Sequence, residues 1–182
     1  PILWQLPPNF RFDRDKLDAF FRLLPRDTTA AAAFGRRHDH RLKERAWLRV
    51  GPRRHRLRHA LEVRHESFRD PDFIELLREH DIALVCADTV DWPLLMDLTS
   101  DFVYCRLHGS RELYRSGYSA AELGRWARRI RAWRDGKPMQ DGTFVGPPAK
   151  PVPRDVYVYF DNTDKLMAPR DAQTLVRRLE EA

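Results

Sequence analysis

The sequence predicts an α/β fold built on a parallel sheet. Three observations carry this. Strand-like and helix-like stretches alternate along the chain in the order β-α-(α)-β-α-β-loop-β-α-β-α, the pattern that parallel sheets with crossover connections require. Asp81 to Asp88 (DIALVCAD) is a continuous apolar run, as expected of a strand covered on both faces. The strands end in polar or charged residues, and α/β folds gather their sites at the carboxyl ends of strands. A doubly wound sheet and a (β/α)8 barrel both fit. No strand is followed by a glycine-rich phosphate loop, which weighs against a nucleotide-binding doubly wound sheet.

Ile2–Leu6 (ILWQL) is a short first strand closed by Pro7-Pro8. Asp13 or Asp15 can cap a helix whose apolar face is Leu17, Phe20, Phe21 and Leu24, with Pro25 as its stop. Thr28 to Gly35 is rich in alanine and shows no pattern. Arg36 to Arg49 mixes charge with Leu42, Ala46 and Trp47 and reads as a surface helix broken by Gly51-Pro52. Ala60 to His65 (ALEVRH) is the second strand, with Glu62 and Arg64 on one face and Leu61, Val63 and His65 on the other. Asp70-Pro71 opens a helix with proline at its favoured first position.

The third strand is Asp81 to Asp88. A loop or short turn around Trp92-Pro93 leads to the fourth strand at Phe102. That strand carries Arg106 and His108 two positions apart, on one face, and ends at Gly109, which tolerates positive φ. Ser119 with Glu122 forms a capping box for a helix to about Asp135, ended by Gly136. Residues 136–154 hold much of the proline and glycine and read as a flexible surface excursion. Asp155 to Asn162 is the fifth strand, and Pro169 to Glu181 the last helix.

At 182 residues the chain is one domain by length. No apolar run approaches the roughly 20 residues of a membrane span. The chain opens on Pro1 and a strand, so earlier residues and any targeting signal are expected to be missing. Cys86 and Cys105 lie in apolar strands without CxxC spacing, which points to buried thiols and a reducing, cytoplasmic setting. The net charge of +6 comes almost wholly from arginine. Either the surface is simply solvated or it meets an anionic partner.

If the strand tips share a rim, they offer Gln5, Glu62, Arg64, Asp88, Arg106, His108 and Asn162, with Tyr114 and Tyr118 following in the loop. Buried unpaired charges would cost several kcal/mol each, so Arg64 and Arg106 should pair with Glu62 and Asp88. One reading is a salt-bridge network that fixes the sheet. The other is an anion pocket in which the two arginines clamp a carboxylate or phosphate. In that reading His108 acts as general acid or base, and Tyr114 and Tyr118 close over the ligand. Glu62, Asp88 and His108 could also converge on a metal, but no ligand-spacing motif accompanies them. The sequence names no cofactor.

Three functional classes stay open: an acid/base enzyme on a small anionic or polyhydroxyl substrate, a nucleic-acid-associated protein using Arg53–Arg58 and Arg125–Arg131, and a binding protein without catalysis.

Several stretches together resemble the YecE-like family, domain of unknown function 72. They are QLPP at Gln5–Pro8, LEVRHESF at Leu61–Phe68, Ala87-Asp88, YCRLHG at Tyr104–Gly109, Tyr114 and Tyr118, VYVYFDN at Val156–Asn162, and Ala168-Pro169 with Ala172. The resemblance spans essentially the whole chain. It implies a TIM-barrel-like (β/α)8 fold of which these strands are about the last five, hence a partial barrel completed by a missing segment or another chain. It implies no particular activity.

Overall fold

The structure, a computed structural model, describes residues 1–42, 48–109, 116–139, 141–162 and 166–181. Five parallel strands, β1 (Ile2–Gln5), β2 (His59–Glu62), β3 (Ile82–Asp88), β4 (Phe102–Leu107) and β5 (Asp155–Phe160), pair in chain order into a curled half-barrel. The helices are α1 (Arg14–Leu23), α2 (Thr28–Gly35), α3 (Pro71–Glu79), α4 (Ala120–Arg134) and α5 (Met167–Glu180).

Alternation along the strands sorts the side chains into two layers. Ala60, Ala83, Val85, Ala87, Phe102 and Tyr104 form the inner face, with Leu3 and Tyr157 against them. The outer face is split. Leu61, Ile82 and Leu84 pack with Leu17 and Phe21 of α1 and Phe73, Ile74 and Leu77 of α3. Val103, Cys105 and Leu107 pack with Leu123, Trp126 and Ile130 of α4 and Leu175 of α5. The inner face of β3 carries only small or β-branched residues, and this matters for the site.

Several elements depart from expectation. The alanine-rich stretch is a helix, because Asp27 caps it by accepting from the N–H groups of Thr29 and Ala30. Residues 36–42 form turns beyond the α2 C-cap, and the rest of the expected surface helix, residues 43–47, lies outside the described residues. Strand β2 stops at Glu62, since His65 turns to cap a 3-10 turn over Glu66–Phe68 by accepting from the Ser67 N–H. Helix α5 starts at Met167, two residues before Pro169.

The connection from β3 to β4 contains no helix. The excursion after α4 covers that gap and is tied down there. The Asp97 carboxylate accepts from the N–H groups of Val145 and Gly146, and Met96 N–H donates to the Thr143 carbonyl. The proline-rich stretch is therefore part of the outer layer. Thr99 completes the join: its hydroxyl accepts from Leu84 N–H and donates to the Ile82 carbonyl.

Candidate functional site

The inner-face parity that buries Ala60, Ala83 and Tyr104 also turns Gln5, Glu62, Arg106 and His108 inward at the carboxyl ends of their strands. Glu62 is fully buried and central. Arg64 approaches from just beyond β2 and donates from Nε and Nη2 to Glu62 Oε1, at 3.1 and 2.9 Å. Arg106 Nη1 donates to Glu62 Oε2 at 2.5 Å and to Gln5 Oε1 at 2.8 Å. Arg106 Nη2 donates to Asp161. One carboxylate is thus shared by two guanidinium groups, the arrangement that compensates a buried charge.

His108 is buried between two carboxylates. Its Nε2 stands 3.7 Å from Glu62 Oε2 and its Nδ1 3.5 Å from Asp161 Oδ2. Trp92 closes the arrangement from one side. Its ring carries the Arg64 guanidinium at 3.9 Å from the centroid and meets the His108 ring edge-on at 5.3 Å. Burial pushes the Glu62 carboxyl up, but His108, Arg106 and Arg64 together outweigh it and hold the group down at about 2. Glu62 is therefore ionised throughout the ordinary pH range.

Two expected rim members lie elsewhere. Asp88 does not pair with the arginines. It shares parity with Leu84 and Cys86, so it faces the outer layer, where Trp126 Nε1 donates to it at 2.9 Å. Burial raises its carboxyl, against the hydrogen bonds of Trp126 and Tyr118. Asn162 likewise follows Val158 and Phe160 outward. Its side-chain amide donates to the Ser116 carbonyl and to Asp171 of α5. With Asp88 on the far side of the sheet from Glu62 and His108, the imagined metal trio does not meet. Among the described residues no group of three metal-ligating side chains is placed to hold an ion.

Tyr118 is anchored and buried. Its hydroxyl accepts from Gly109 N–H at 3.1 Å, its own N–H donates to Asp171, and its ring packs edge-on to Phe160. Gly109 has the positive φ its position suggests, 113°. Burial, helped by the nearby Asp88 charge, raises the Tyr118 phenol. Tyr114 lies outside the described residues.

Sequence reading missed Asp161 and Trp92. Asp161 was legible: it has the parity of Tyr157 and Tyr159, and Tyr159 is the register partner of Arg106. Trp92 carried no signal, because its loop has no periodicity to fix a direction.

Over residues 1–182 the chain matches the family model for the protein of unknown function DUF72. The chain belongs to the DUF72 family. Solved DUF72 structures have the same fold. The chain superposes on a DUF72 protein of Thermotoga maritima at 22% identity and a TM-score of 0.64, covering 98% of this chain and 56% of that one. A DUF72 protein of Enterococcus faecalis superposes at 16% identity and a TM-score of 0.60, covering 98% and 57%. The chain thus spans little more than half the length of these DUF72 structures. No curated protein matches it.

Proposed function

We propose that the inner rim binds a small anionic or polyhydroxyl compound and acts on it by acid/base chemistry through His108. The observation that carries this reading is the seating of one imidazole between two carboxylates of unequal exposure. Glu62 is sealed and charged at neutral pH, while the Asp161 side chain is 30% exposed. A bound hydroxyl can reach the exposed Asp161 carboxylate, and the buried His108 behind it can take up or supply the proton. Arg64 and Arg106 supply N–H donors at the same spot, their charge balanced by Glu62 and Asp161, and Gln5 adds a neutral hydrogen-bonding group fit for a hydroxyl. Tyr159, 44% exposed and stacked on the buried Tyr104 at 4.9 Å, gives a flat surface of the kind that sugar rings and planar acids pack against.

The nucleic-acid reading draws less support. Arg54 is paired with Asp27, Arg56 with Asp81 and Asp101, and Arg58 with Asp155. Arg129 is paired with Asp141. These arginines of the two basic stretches are therefore engaged within the fold. A non-catalytic binding protein would use the same rim without needing a titratable group at its centre.

The test is a ligand panel of sugar acids, sugar phosphates and neutral sugars, read by thermal shift and calorimetry on wild type, His108→Gln and Arg106→Gln. The expected result is binding of at least one panel member that falls about tenfold or more in each variant that remains folded. No binding to wild type across the panel, or affinity unchanged in the folded variants, overturns the reading.

A further inference from the structure

A cavity of about 410 Å³ opens at the other end of the sheet, away from the rim. Its walls come from segments that precede strands: Arg78 in the last turn of α3, Leu98 before β4 and Arg154 directly before β5. The excursion after α4 closes it. Most of the lining is apolar, with Trp133, Met139, Phe144, Pro147, Pro148 and Pro151 contributing. The volume falls in the range of small-molecule sites.

Two guanidinium groups border this apolar space, and both are held by neutral groups. Arg78 donates to the carbonyls of Leu98 and Pro147. Arg154 donates to those of Ser100, Val152 and Lys150. Carbonyls satisfy N–H groups but carry no net charge, so neither guanidinium has an ion-pair partner among the described residues, and Asp101, already shared by Arg56 and Arg58, acts on Arg154 only through space. Partial burial and then repulsion from Arg78 lower the Arg154 guanidinium from its ordinary value. Asp97, the carboxylate among the lining residues, accepts from the backbone N–H groups of Val145 and Gly146 and forms no ion pair with either arginine, while Lys137 and Lys150 add further positive charge to the wall. Trp133, 1% exposed, lines the cavity and gives it an aromatic wall.

We infer that this cavity is a binding site for a small carboxylic acid with an apolar body, such as a medium-chain fatty acid or an arylacetic acid. The carboxylate would sit between Arg78 and Arg154, and the apolar body would lie along Trp133 and the proline wall. An inorganic phosphate would leave the apolar lining unfilled. A neutral hydrocarbon would leave the paired charges as they are.

The test uses the 182-residue chain with three probes of equal length: octanoate, octanol and octylammonium. Calorimetry is expected to show saturable octanoate binding, with octanol about tenfold or more weaker and no octylammonium binding. A diazirine analogue of octanoate is expected to label wild-type peptides within residues 132–154. The double variant Arg78→Gln/Arg154→Gln should lose the preference for octanoate over octanol. Absence of saturable octanoate binding, equal binding of octanol, or labelling confined to other parts of the chain overturns the inference. Should the double variant fail to fold, the wild-type labelling map and the probe ranking decide the matter alone.

Discussion

Arg106 bonds to Glu62 across an intervening strand. The two residues belong to β4 and β2, each a neighbour of β3, and yet Nη1 and Oε2 are 2.5 Å apart. The register partner of Arg106 on β3 is Ala87, and the two inner-face residues before it are Val85 and Ala83. A long side chain can lie over an alanine. The smallness of β3 on its inner face is therefore what lets charges from three strands meet.

Enlarging that position should separate them. In Ala87→Leu the added bulk lies under the Arg106 side chain, with an overpacking cost of about 1–3 kcal/mol. The sharper readout is a double-mutant cycle between Glu62→Gln and Arg106→Gln, run in both backgrounds. A coupling energy of more than about 1 kcal/mol is expected with Ala87 and a value near zero with Leu at that position. Equal coupling in both would show that Arg106 reaches Glu62 by some other route.

Removing the shared carboxylate should be severe. Glu62→Ala leaves two partly buried guanidinium groups without their common partner, a change expected to cost about 3–5 kcal/mol in urea denaturation. The same group sets a pH dependence. Its carboxyl is held at about 2 in the folded chain against an ordinary value of 4.5. A depressed carboxylate stabilises above its unfolded value and loses that contribution as pH falls toward its folded value. About 3 kcal/mol should therefore be lost between roughly pH 5 and pH 2. The slope of stability against pH in that window should flatten in Glu62→Ala, and an unaltered slope would assign the acid sensitivity to other groups.

Most of this arrangement was readable in the residues, and the exceptions have physical causes. The strands declared themselves through β-branched and aromatic runs, and α4 through the capping box of Ser119 and Glu122, which forms in full. Arg106 and His108 share a face because their spacing requires it. Helix α2 was invisible because an alanine run has no amphipathic signature. Only its Asp27 cap could have announced it. Asp88 was misdirected by reading the strand end as a rim without following parity back to Leu84 and Cys86. The same oversight chose Asn162 over Asp161. The joining of the β3–β4 gap by Asp97 and the excursion lies beyond any local pattern, since it depends on a crossover helix that is lacking.

Asp88 offers a contrast of sign with Glu62. Burial raises its carboxyl, so the ionised form is disfavoured by the fold. A raised carboxyl contributes stability at low pH and loses it as pH rises through its folded value. Asp88→Asn keeps an oxygen that can accept from Trp126 Nε1 and removes the charge. The thermal midpoint at pH 7 is expected to hold or rise. A loss above about 1 kcal/mol would mean that the charge itself supports the fold, through Trp126 or the nearby Arg129.

Gly136 is where α4 hands over to the excursion, and it is a position that cannot readily accept a side chain. Its φ is +67°, in the left-handed region. An added Cβ would lie 2.6 Å from the Pro153 nitrogen and 2.7 Å from the Val152 carbonyl carbon, both backbone atoms that cannot swing aside. Strain and clash act together in Gly136→Ala, with an expected cost of about 1–3 kcal/mol. The consequence should be local first. Displacing residues 152–153 pulls on Arg154, whose guanidinium gathers the carbonyls of Ser100, Val152 and Lys150 at the start of β5. Limited proteolysis should then cut within residues 141–154 at a protease concentration that leaves wild type intact. Cleavage at equal rates would place the anchor of the excursion at Asp97 instead of at the helix end.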